Sequence, residues 1–153
     1  MVDTLLTRGE MERNLSQSVQ GYYRNQLGCK TDKVSCHIIN EQVAIAIHNP
    51  ITHVEKLLSD KRDRDFVRDL RARIDTIVKN ELFSIIEKIV GVQAVALTID
   101  TALDNNLTGI VALLAQKPKL RDTKRNTNKL KVIKSQESYH TSSLVDNSTK
   151  PKE

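Results

Sequence analysis

Residues 29–55 include two thiols, three imidazoles and the Glu55 carboxylate (Cys29, Cys36, His37, His48, His53 and Glu55), the residue types that hold transition metals. A tetrahedral centre needs about four such ligands converging, and close pairs such as Cys-x-x-Cys or His-x-x-x-His are the usual way a short segment supplies them. Neither pair occurs here. Cys36 alternates with Val34 and Ile38, which places it on the apolar side of a strand as a small core residue. His37 points the opposite way, His48 and His53 flank Pro50, and Cys29 follows a glycine that stops a helix. No metal and no cofactor is expected, and the histidines are incidental to a hairpin.

Catalytic signatures are missing as well. The chain has no Gly-rich phosphate loop, no Gly-x-Ser-x-Gly elbow and no zinc-protease helix motif, so no catalytic residue and no enzymatic activity are expected. Most carboxylates fall on one charged helix, where pairing at i,i+4 accounts for them. A small enzyme using His37 as an acid–base group is a separate reading, and it requires a concave pocket around that imidazole.

The elements that would carry these side chains follow from periodicity. Met11, Leu15, Val19, Tyr22, Tyr23 and Leu27 recur at steps of three and four, which predicts a helix over residues 7–27, stopped by Gly28. Val34, Cys36 and Ile38 alternate, as do Val43, Ile45 and Ile47, and Asn40-Glu41 between them predicts a two-residue hairpin. Thr52 and Glu55 have the spacing of a capping box and begin a short helix to about Ser59. A long amphipathic helix starts near Asp63, with Phe66, Leu70, Ile74, Ile77, Val78, Leu82, Ile85, Ile86 and Ile89 as its stripe, and ends at Gly91. Its outward side is expected to carry the pairs Asp69/Arg73 and Arg71/Asp75. Two more strands follow in "VQAVALTID" and "LTGIVALL". The order α-β-β-α-α-β-β defines an α+β fold, a four-stranded, mainly antiparallel sheet with long amphipathic helices on one face.

All four predicted strands (34–39, 42–48, 92–99 and 109–114) lack Asp, Glu, Lys and Arg. A sheet with one wet face normally alternates apolar with polar or charged residues. Here the second face carries Ser35, His37, Ala44, Ala46, Ala94, Ala96 and Thr98, a surface suited to being covered by a partner. A homodimer is the expected partner arrangement.

The formal charge of +5 is unevenly spread. From Gln116 onward ten Lys and Arg stand against four acids, which leaves +6 in that tail and −1 in residues 1–115. The expected organisation is therefore a single domain over 1–115 and a basic, disordered tail over 116–153. The tail could attract nucleic acid or an anionic membrane surface, and a nucleic-acid-associated regulator is the alternative function it supports. Aromatics make up only 3% of the chain, so no stacking platform for bases is expected. With no membrane span and an opening Met-Val-Asp that lacks a signal peptide's apolar stretch, the cytoplasm is the expected compartment.

Several stretches carry a resemblance: "LGCKTDKV" after the first helix, "ITHVEKLL", "VRDLRARI", and "IIEKIVGVQAVALTID" before the last hairpin. Together they resemble the MpsC-like family, a domain of unknown function associated with Na+-translocating, membrane-potential-generating systems, over about Thr7 to Leu114. Ile86, Glu87, Gly91, Val95 and Asp100 form the most specific part. "GCKTDK" departs from a more Gly-Arg-Gly-like stretch in many relatives. The resemblance marks Thr52, Glu55, Arg71, Glu87 and Asp100 as polar binding positions. Each also has a structural reading: a capping box for Thr52 and Glu55, a helix-surface pair with Asp75 for Arg71, a solvated helix charge for Glu87 and a turn for Asp100. It implies a soluble, non-catalytic accessory or regulatory protein that contacts membrane cation or bicarbonate transport components.

Overall fold

The structure, a computed structural model, describes residues 4–60 and 63–123 of the chain. Helix α1 (Arg8–Gln26) opens on a capping box: the Glu10 amide donates to Thr7 Oγ1 and the Thr7 amide donates to Glu10 Oε2. Met11, Leu15, Val19 and Tyr23 form its buried stripe. Gly28, at φ 61°, takes the left-handed conformation that turns the chain away from the helix.

Strands β1 (Lys33–Ile39) and β2 (Gln42–His48) pair antiparallel around Asn40-Glu41, with Asn40 at φ 53°. Helix α2 (His53–Asp60) is followed by the long α3 (Arg64–Val90), and strands β3 (Ala94–Ala102) and β4 (Leu107–Leu114) are joined by a short 3-10 turn. The sheet order is β1-β2-β4-β3, and every pairing is antiparallel. Each half runs helix, outer strand, inner strand, and the two inner strands meet at the centre.

α1 and α3 pack on one side of the sheet and on each other. The core between them is aliphatic, built from Leu15, Val19, Val78, Leu82 and Ile86 of the helices and Val43, Ile45, Ile47, Ile110 and Ala112 of the inner strands. The compact unit extends to Arg121, whose amide donates to the Leu6 carbonyl while Leu120 packs on the core. Of the tail expected from residue 116, residues 124–153 lie outside the described residues.

Three expectations are corrected. The α3 stripe is Val67, Arg71, Asp75, Val78, Leu82, Ile86 and Val90, so Phe66 and Ile77, expected in the core, stand 50% and 61% exposed. Arg71 and Asp75, expected on the wet side, are instead buried. Ala94 likewise lies in the core and not on the outer face. Ala94 pairs with Leu114 while Ala96 pairs with Leu113, so the unpaired Val95 is a bulge that reverses the strand's phase.

Candidate functional site

Pro50 closes the first hairpin, and Thr52 caps the helix that follows. Glu55 lies one turn on and is fully buried. Its Oε2 accepts from the Thr52 amide at 2.8 Å and the Thr52 hydroxyl at 2.6 Å, while its own amide donates to Thr52 Oγ1 at 3.3 Å. The capping box read from the spacing is thus present, with its carboxylate turned inward.

Arg71, on α3, meets that carboxylate. Its Nη1 is 3.3 Å from Glu55 Oε1, its Nη2 donates to the Pro50 carbonyl at 2.8 Å, and its Nε lies 3.5 Å from Asp75 Oδ1. The planar fork suits three partners at once, where an ammonium would not. Asp75 Oδ2 accepts from the Thr101 hydroxyl at 2.8 Å, and Thr101 and the buried Thr108 hydroxyl are 2.7 Å apart. With the Thr101 proton directed at Asp75, Thr108 donates to Thr101.

Two carboxylates therefore share one guanidinium inside the fold. Burial pushes the Asp75 carboxyl above its ordinary value, against the Thr101 hydrogen bond and the Arg71 charge, and the Glu55 and Asp100 charges push it further. The same group of residues ties four segments together: the loop at Pro50, α2, α3 and the β3–β4 hairpin. Removing Arg71 leaves two buried carboxylates without their cation, which typically costs about 3–5 kcal/mol.

Glu55 also lines an open cleft of about 580 Å³ between α2, the start of α3 and the β3–β4 turn. Its lining holds Lys56, Arg64 and Arg68 together with Glu55, Asp60 and Asp104, and Asp100 borders it from the edge of β3. A smaller cleft of about 380 Å³ runs between α3 and β3 past Asp75, Lys79 and Thr98. Among the described residues no cluster of three or more His, Cys, Asp or Glu side chains is placed to hold a metal ion.

The five polar positions marked in the sequence separate in space. Thr52, Glu55 and Arg71 come together, and Asp100 sits on the cleft rim as an exposed strand residue, not in a turn. Glu87 lies apart, where its Oε1 accepts from the Ala94 amide at 2.9 Å and ties the end of α3 to the start of β3. It is a clip between elements, not a solvated charge. Asp75, Thr101 and Thr108 were not singled out as site residues. The Arg71/Asp75 spacing was the available signal, but it says nothing of which side of the helix is covered.

Cys29 and Cys36 are buried free thiols. Burial raises both, Cys36 to about 11, so neither is a reactive thiolate. His37 is exposed on the edge strand β1 and lines neither cleft.

The remaining feature is the outer sheet face. Register groups its residues in rows across β1, β2, β4 and β3: Lys33, His48, Leu107, Ala102; Ser35, Ala46, Gly109, Asp100; His37, Ala44, Val111, Thr98; and Ile39, Gln42, Leu113, Ala96. Ile39, Val111 and Leu113 are 58%, 46% and 41% exposed there. Lys33 and Asp100 are the only Lys, Arg, Asp or Glu in these rows, and both stand on edge strands.

These features define an α+β domain with a helix-covered core, a buried ion-pair cluster beside a cleft, and an open sheet face almost free of charge. Residues 7–116 match the family model described as "Na+-translocating membrane potential-generating system (MpsC)", and the chain belongs to that family. No curated protein matches the chain, and no solved structure does. No helix among the described residues is long and apolar enough to cross a membrane.

Proposed function

We propose that this chain is a non-catalytic accessory or regulatory protein of a Na+-linked membrane system. It works by protein–protein contact, the outer sheet face is the association surface on which its assembly depends, and cation or bicarbonate transport components are the partners of that assembly. The family supports the link to a Na+-translocating system. The observation that carries the contact reading is the exposure of Ile39, Val111 and Leu113 on a face whose two inner strands carry no charged side chain. Exposing an apolar face of that kind to water raises the free energy, and covering it lowers it.

The test is an affinity pull-down of the tagged full chain from native membranes, wild type against Val111→Lys. A transport component should be recovered with the wild type and fall about tenfold with a lysine at the centre of the face. Equal recovery would refute the surface, and absence of any transport component would refute the system.

A further inference from the structure

The rows of the outer face complement themselves, and from this we infer that the face is covered by a second copy of the chain, related by a two-fold axis that lies between the sheets and parallel to the strands. The inference rests on reading this face as an association surface, and it names what covers it.

A two-fold interface is isologous, so each residue must suit the one it meets on the other copy. An axis along the strands keeps every row at its own level and exchanges β1 with β3 and β2 with β4. Ala44 then faces the other copy's Val111, and Val111 faces its Ala44. Ile39 faces Ala96 in the same way, and Gln42 faces Leu113. The large Ile39, Val111 and Leu113 thus meet alanine or the flexible Gln42, and His48 meets Leu107 in the first row, with the two sheets about 10 Å apart.

The charges choose the same axis. Lys33 stands in the first row on β1, and Asp100 in the second row on β3 at the opposite edge. The axis carries each Lys33 over the other copy's β3 one row from Asp100, within reach of a lysine stem, so two ion pairs form at the rim. An axis across the strands instead lays Lys33 over Ile39 and leaves Asp100 against Thr98, so that neither charge meets an opposite charge on the other copy. The four strands span roughly 450 Å² in plan. With side-chain relief this approaches the roughly 600 Å² per partner at the lower end of stable complexes, so association in the micromolar range is expected.

Sedimentation equilibrium of the purified full chain, from about 1 to about 200 µM, reads the association directly. A monomer–dimer equilibrium is expected, and a monomer throughout would overturn the inference while leaving the pull-down from membranes free to succeed or fail on its own. Val111→Lys should weaken dimerisation at least about tenfold, and an unaffected dimer would place the interface elsewhere. Lys33→Glu and Asp100→Lys should each weaken it several-fold, because both copies of the rim pair are lost, and the double exchange should restore it. Failure of that restoration would overturn the axis. Far-UV circular dichroism of each variant separates these outcomes from misfolding.

Discussion

Asp75 shows how a side chain's surroundings decide its role. Its i,i+4 spacing from Arg71 is visible in the sequence and reads as an ordinary surface pair. What the spacing lacks is the phase of the buried stripe. Phe66, Leu70 and Ile74 draw an apolar line one residue away from the line the fold covers, and the covered line runs through Arg71 and Asp75. The Thr52–Glu55 box was legible because its partners are local; the Arg71 contact with Glu55, sixteen residues away, was not. The raised Asp75 carboxyl has a measurable consequence. Below its ordinary value of 3.8 the group is protonated both folded and unfolded. As the pH rises, the unfolded chain loses the proton first, so stability falls until the folded carboxyl also ionises, and levels off above that point. Urea unfolding at a series of pH values should therefore show the wild type losing stability relative to Asp75→Asn from about pH 4 upward. Parallel curves for the two proteins would contradict the buried, proton-retaining carboxyl.

At the scale of elements, the sequence located each helix and strand to within a few residues because the periods of 3.6 and 2 are strong and glycines mark both long helix ends. Gly91 does this at φ 71°, with its amide bonded to the Glu87 carbonyl. A Cβ there would meet no atom within 4 Å, so a side chain would bring backbone strain without collision. Gly91→Ala should cost about 1 kcal/mol in chemical denaturation, and a cost near zero would mean that the helix end rearranges. The bulge at Val95 escaped the sequence reading, since unbroken alternation was the only guide to phase. It explains why Ala94 joined the core while Ala96 and Thr98 reached the outer face as expected.

For the molecule as a whole, the order of elements and the antiparallel sheet were legible, but the neighbour relations of the strands were not. Joining β2 to β4 depends on residues 42 and 113 meeting across the chain, which no local pattern encodes. The result places both inner strands under α1 and α3, with Val43, Ile47 and Ala112 fully covered. Amide hydrogen exchange should accordingly be slowest in β2 and β4 and faster along the outward edges of β1 and β3, where half the backbone groups have no strand neighbour. Uniform protection across all four strands in the monomer would argue against that hierarchy. The bulge has a broader effect on how the fold tolerates changes in length. β4 fixes the phase from residue 96 onward, so one residue gained or lost between Gly91 and Ala96 can be taken up locally, like slack in a coupling. The same change inside β2 would exchange interior and exterior along a strand with neighbours on both sides. Natural length variation in this scaffold should therefore gather at the entry to its third strand.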